Sequence, residues 1–363
     1  MGTPAPSKPT THCVALDGIR GIAALSVLLF HLGRWLDIPF LAVNGGLSVD
    51  TFFTLSGYVL ARAYARRTRN MSVTEFMALR VIRLLPIILL SIVISAPYVL
   101  ARNYLLSTET QSATIVLAIM LGILNIPYFN APPQIGGPQI FPLNGPQFSL
   151  FFELAANYVW WLLRFIDQTY LALGLYVLSS AAVIRFGIGG DTADNFLLGF
   201  AHVGSSFFVG VLVYQVGRAM RPSRANAFLF VALSGVMIAI LFSSFELTLQ
   251  ERLAWKLVLA PLLVLSGSVV TLQGLPKRAS RVLGDLSYPV YALHYPIFCW
   301  INGIYQKVTG SRGIVLECAT FLVATIAVSY LVLRYYDEPA RRYLSDVFAS
   351  IKASRSGRAE YGR

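Results

Sequence analysis

The chain has 363 residues, of which 56% are apolar and only 13% charged, and its mean hydropathy is +0.64. A soluble domain carries roughly a quarter charged residues, so the composition excludes an ordinary soluble fold. The net charge of +12 can signal nucleic acid, but here the arginines stand between apolar runs and read as membrane topology signals.

The distribution of charge sets the architecture. No charged residue lies between Arg83 and Arg102, Glu109 and Glu153, Asp194 and Arg218, Arg224 and Glu246, or Lys256 and Lys277. About twenty apolar residues in a helix cross a hydrocarbon core, and several of these gaps are that long. Strands of a membrane barrel alternate polar and apolar residues, and these runs do not. The expected fold is all-α: a polytopic transmembrane helical bundle. Its apolar segments number about eleven, the first centred near residue 26 and the last near residue 324. Residues 1–13 contain three prolines and lead into no cleavage site, so the first apolar segment is expected to stay as a membrane helix.

The first helix offers Asp17, Arg20 and His31 as ionisable candidates. Arg20 and His31, eleven residues apart, share one helical face with about 20° of drift and a separation of ~16 Å. Arg20 is then expected at the cytoplasmic rim and His31 near mid-membrane. The plain alternatives are a snorkelling anchor for Arg20 and an interhelical hydrogen bond for His31. The second helix opens with Asp50, which can orient a histidine or pair with an arginine. Ser56-Gly57 reads as a packing device. Six arginines from Arg62 to Arg83 stand against a single Glu75. Among them Arg80 and Arg83 are helical neighbours, suited either to a phosphate-rich ligand or to anchoring at the cytoplasmic face.

The run Pro132-Pro133-Gln134-Ile135-Gly136-Gly137-Pro138 is poor helix material. The apolar segment after Asn144 is expected to be re-entrant or interfacial, because irregular backbone at membrane depth is tolerated where it lines a cavity. Excluding it leaves about ten spans. Arg62–Arg83, Arg218–Arg224, Lys277–Arg281 and the tail then all lie in the cytoplasm, as do both termini. Glu153 is the only acid between Glu109 and Asp167; such an isolated carboxylate calls for a cationic partner. His202 is read as structural. His294, near the two prolines Pro289 and Pro296, either lines the same cavity or fills a structural hydrogen-bonding role. Asp17, Ser149, Asp285, Ser287 and His294 are candidate cavity-lining residues. Cys13, Cys299 and Cys318 have no metal spacing and suggest no disulfide framework. Residues 1–336 form the expected transmembrane domain. Residues 337–363 form a basic cytoplasmic tail, with its end from Ala353 expected to be disordered.

Together these elements resemble acyltransferase family 3, the bacterial membrane O-acyltransferases. Leu16-Asp17-Gly18-Ile19-Arg20 followed by His31 is similar to the family's Arg-x10-His signature. Asp50 with Phe52-Phe53-Thr54-Leu55-Ser56-Gly57, Arg80-x-x-Arg83, Ser149-Leu150-x-x-Glu153, Leu283-Gly284 to His294, and Glu338-Pro339 resemble later family blocks, in family order. Two positions depart: Phe148 stands where the family usually has Trp, and Ser48 replaces a common glycine. No soluble esterase-like domain follows in this sequence, so acyl handover to such a domain is not expected. The resemblance implies transfer of an acetyl or other short acyl group from acyl-CoA to a hydroxyl of a sugar-containing or polyhydroxyl acceptor, in the bacterial inner membrane. Acyl-CoA is then a co-substrate, and no cofactor, metal or nucleic acid is implied. His31 is expected as general base or as the acyl-carrying nucleophile. Glu153 or Asp50 would orient it, and Arg20, Arg80 and Arg83 would hold the donor. The alternative is a transporter or flippase using the same buried charges.

Overall fold

A computed structural model describes residues 13–64, 71–105, 112–310 and 314–361, with side chains as far as residue 354. The N-terminal segment and Arg66, Arg67, Arg69 and Arg363 lie outside the described residues. The helices are α1 (Val14–Trp35), α2 (Ser48–Tyr64), α3 (Val73–Leu105), α4 (Ser112–Ile123), α5 (Gln147–Leu162), α6 (Gln168–Phe186) and α7 (Phe196–Gly217). They continue as α8 (Arg224–Leu241), α9 (Leu249–Ala254), α10 (Ala260–Gly267), α11 (Gly274–Thr309), α12 (Ile314–Val332) and α13 (Glu338–Tyr361). π-helical turns, Trp255–Leu259 and Leu333–Asp337, join α9 to α10 and α12 to α13. No strand is formed among the described residues beyond one isolated bridge, Gln139 to Thr192.

Local chemistry sets the boundaries. Asp167 caps α6 by accepting from the Thr169 and Tyr170 amides, and Ser223 caps α8. Thr248 and Glu251 form a capping box at α9. Between α4 and α5, Pro127, Pro132, Pro133, Pro138, Pro142 and Pro146 keep the chain irregular, because each removes a backbone donor.

Among the described residues six helical runs are long and apolar enough to cross a membrane: α1, α3, α6, α7, α8 and the run beginning at Ile314. The remaining segments fall short of that pattern for visible reasons. The helices α2 and α5 have only 17 and 16 residues. The α9–α10 run is interrupted at a buried lysine, and α11 carries Asp285, Ser287 and His294. These helices supply buried polar groups such as Asp50, Ser149, Lys256, Ser287 and His294.

Contacts give the relative directions. Helices α1 and α11 run parallel: Gly18 faces Ser280, Arg20 reaches Ser287, and Trp35 packs on Phe298. Helices α2 and α7 are also parallel, from the Asp50–His202 contact to the Tyr58–Tyr214 contact. Helix α12 returns antiparallel to α11, with Phe321 on Phe298 and Glu317 on Asn302. One end of the bundle therefore gathers the starts of α1, α3 and α11 and the ends of α2, α7 and α12. It carries Arg62, Arg83, Arg218, Lys277, Arg278 and Arg341, and is the basic end.

The α2–α7 contact depends on absent side chains. A Cβ on Gly57 would lie 2.0 Å from the Phe207 carbonyl oxygen, and one on Gly210 would lie 2.1 Å from that of Thr54. Small residues let membrane helices approach this closely. Gly57→Ala is expected to cost about 1–3 kcal/mol through overpacking, read as a lower thermal midpoint in detergent. Gly235→Ala, where nothing lies within 4 Å of the added atom, is the control and should leave the midpoint unchanged.

The carboxyl-terminal segment corrects one expectation. It is helical to Tyr361 rather than disordered from Ala353. Ion pairs Arg341–Asp337, Arg334–Glu338 and Arg342–Glu338, each spaced i,i+4, support its start. Lys352 then pairs with Glu75 at the start of α3 (2.6 Å). The first turn of this helix reaches the cavity described next.

Candidate active site

A cavity of about 560 Å³ lies among α1, α2, α3, α5, α11 and the α12–α13 junction, within the usual range of small-molecule sites. Its lining residues run along α11 from Gly284 to Tyr291 and along α2 from Ala63 back to Val49. Arg62, Asp337 and Arg341 stand toward the basic end; Phe52, Ser149 and Tyr291 lie at the inner end. Arg20, Arg83 and Glu153 lie on the walls with Asp17, Asp285 and Ser287. Seven of the sequence-predicted residues thus meet in one cavity: Asp17, Arg20, Arg83, Ser149, Glu153, Asp285 and Ser287.

The arginines differ in commitment. Arg20 donates from Nε to Ser287 Oγ (2.9 Å) and from Nη2 to the Gly284 carbonyl (3.1 Å), and pairs with Asp17 (3.2 Å). Arg80 is buried and does not line the cavity; it sits behind Glu153, with Nη2 3.4 Å from Oε1. The Arg80–Arg83 fork expected from spacing is therefore split: a three-residue step turns the helix by about 300°, which aims Arg80 at α5 and leaves Arg83 to the cavity. Arg83 is exposed and makes no hydrogen bond or ion pair among the described residues. Glu153 Oε1 also accepts from Ser56 Oγ (2.6 Å), so Ser56 does more than pack.

The histidines lie deeper. His31 is half-buried and is not a lining residue of this cavity. Its ring stacks on Trp35 and on His294, each at 5.1 Å between centroids. His294 is fully buried, and its Nδ1 donates to the Tyr291 carbonyl (2.7 Å). A carbonyl only accepts, so that nitrogen carries the proton; Nε2 has no hydrogen-bond partner among the described residues. Tyr291, one turn earlier on α11, lines the cavity, and its ring centroid is 6.1 Å from that of His294. Neither Glu153 nor Asp50 touches His31, contrary to the expected orienting contact, because α1 carries His31 about one helical turn past the cavity's inner end.

Asp50 has other partners. Its Oδ1 accepts from His202 Nε2 (3.0 Å), Ser206 Oγ (3.0 Å) and Lys256 Nζ. Lys256 is fully buried and donates also to the His202 carbonyl (2.9 Å) and Ser206 Oγ (2.7 Å). This cluster ties α2, α7 and the π-helical turn together. His202, read from sequence as structural, is a member. Sequence reading passed over Lys256 although it interrupts an apolar run, which is the signal that marks an intramembrane charge. Tyr291 carried no comparable signal, since tyrosine is common in membrane helices.

Residues 14–334 match the family described as "Acyltransferase domain". The chain is similar to "Protein 2 in picA locus" of Rhizobium radiobacter, 30% identical over 188 residues, 46% of this chain and 92% of that protein. It is also similar to O-acetyltransferase OatA of Staphylococcus aureus strain MRSA252, 23% identical over 368 residues, 94% of this chain and 59% of that protein. The chain spans about three fifths of the length of that O-acetyltransferase. No solved structure matches it.

Proposed function

The chain belongs to the acyltransferase family and is an integral membrane protein, and from that premise we propose that it moves an acetyl or other short acyl group from acyl-CoA to a hydroxyl of a carbohydrate or glycosylated acceptor. The observation that carries this reading is the cavity itself. It runs from the basic end, past Arg83 and Arg20, to hydroxyl groups just short of an imidazole pair. An extended donor with a phosphate-rich head and a reactive thioester tail fits that gradient. Arg83, Arg20 and Arg341 meet the phosphates, because guanidinium forks suit phosphate oxygens. Arg80 contributes at one remove by pairing with Glu153, whose charge balances the wall.

His31 is the general base in this reading. A neutral imidazole suits proton removal near neutral pH, and His31 has no hydrogen-bonding partner among the described residues. The acceptor hydroxyl reaches it from the end of the bundle opposite the donor. Its oxygen bonds to the thioester carbonyl carbon, the carbon–sulfur bond breaks, and the acceptor proton passes through His31 to the departing thiolate. Asp50 serves as an anchor for α2 rather than as a partner of His31. Ten crossings follow if α4 and α5, with the irregular chain between them, share one passage. Both termini then lie at the basic end, which the positive-inside rule puts in the cytoplasm.

Purified protein incubated with labelled acetyl-CoA and a polyhydroxyl acceptor should release free CoA and label the acceptor or water-derived acetate. A transporter or flippase built on the same charges should do neither, and that result would reject the reading. Arg83→Ala should raise the donor KM by about tenfold or more, the worth of one charge-assisted hydrogen bond of ~1.5–3 kcal/mol. An unchanged KM would remove Arg83 from the donor site.

A further inference from the structure

The inner end of the cavity holds two hydroxyls in contact. Tyr291 Oη and Ser149 Oγ are 2.6 Å apart, and both residues line the cavity while remaining largely buried. Both also reach one backbone acceptor, the Pro146 carbonyl, at 3.2 Å from Tyr291 and 3.0 Å from Ser149. Neither hydroxyl bonds to a cation: Arg20 is bonded to Asp17, Ser287 and Gly284, and Arg80 to Glu153. A thioester carbonyl arriving here meets hydroxyl protons rather than charges.

We propose that Tyr291 is a catalytic residue, its hydroxyl donating a hydrogen bond to the thioester carbonyl oxygen as that oxygen takes up negative charge. The assignment rests on the acyl-CoA reading given above. Ser149 is the positioning residue: its hydroxyl is hydrogen-bonded to that of Tyr291 at rest, where either oxygen can donate, and it donates to Tyr291 Oη once the tyrosine proton has turned to the substrate. The chain of hydroxyls strengthens the terminal donor. Place supports the assignment as much as chemistry. Tyr291 lines the cavity, and its ring lies beside His294, which stacks on His31. A reacting carbon beside Oη therefore lies on the way to the imidazoles. Ser149 stands in the first turn of α5, and the positive end of that helix dipole favours an oxyanion at the same spot. Tyr291 keeps its proton throughout. The acceptor oxygen–carbon bond forms, the carbon–sulfur bond breaks, and the acceptor proton leaves through His31 to the CoA thiolate.

The test is steady-state turnover of acetyl-CoA by the purified full chain carrying Tyr291→Phe or Ser149→Ala. Removing one oxyanion donor lowers kcat by about 100-fold or more. Tyr291→Phe is expected to show that loss with the donor KM within about twofold of wild type, and Ser149→Ala a smaller fall in kcat with the same split. A tyrosine that merely walls the cavity would move KM and spare kcat, and that pattern overturns the assignment. So does a Tyr291→Phe enzyme whose kcat is close to wild type. Should Tyr291→Phe fail to fold, an unimpaired kcat in Ser149→Ala overturns the relay. A wild-type chain inert toward acetyl-CoA strikes the acyl-CoA reading underneath, whereas an active wild type beside an unimpaired Tyr291→Phe strikes this assignment alone.

Discussion

Lys256→Met should cost about 3–5 kcal/mol of stability, the usual effect of removing one partner from a buried ion pair. Lys256 is 0% and Asp50 2% exposed, so no water replaces the lost ammonium. The carboxylate keeps His202 and Ser206 as partners but loses its closest cation. The paired change Asp50→Asn/Lys256→Met removes both charges together and should recover most of the loss, because a neutral pair leaves no uncompensated ion. The amount of folded protein and its thermal midpoint in detergent check both. If the single and double variants are equally stable, the cluster is not the anchor of α2 against α7. The π-helical turn contributes to this arrangement: Lys256 is its second residue, and such turns recur at specialised sites.

His31→Ala should lower kcat by about 10²–10⁴-fold, the range spanned by a positioned general base, while the protein still inserts and folds. The second half of that expectation follows from its surroundings. His31 is half-buried and makes ring contacts with Phe30, Trp35 and His294, with no hydrogen bond among the described residues to lose. An unchanged thermal midpoint beside lost turnover is the expected pair of results. Full activity in His31→Ala would move the base elsewhere, and His294, with its unpartnered buried Nε2, would be the group to examine next.

Much of this was legible in the sequence because hydrocarbon punishes charge. The charge-free gaps gave the helices, and the isolated Glu153 pointed to a cationic partner, which the structure supplies as Arg80. Asp17 and Arg20 on α1, Ser149 and Glu153 on α5, and Asp285 and Ser287 on α11 line one cavity, whereas His31 and His294 do not. What the sequence did not carry was rotation and pairing between helices. Arg20 and His31 share a face of α1, yet Arg20 lines the cavity and His31 does not. Arg80 and Arg83 look alike in a pattern, and only the packing of α5 separates their roles. Asp50 looked like a partner for the histidine of α1. The parallel contact of α2 with α7, made possible by Gly57 and Gly210, delivers it to His202 and Lys256 instead. Partners so far apart in sequence leave no local trace of their meeting.

Sidedness offers the most direct test of the idea that the thioester is held in the cavity at the basic end. Purified protein is sealed into vesicles, and vesicles whose carboxyl-terminal tag faces outward are selected by its accessibility to protease. Acetyl-CoA, which does not cross the bilayer, is then supplied outside or trapped inside. Turnover should follow only from donor on the side bearing the tag, where Arg62, Arg83 and Arg341 open the cavity. Equal turnover from both sides, or turnover from the opposite side alone, would contradict the account.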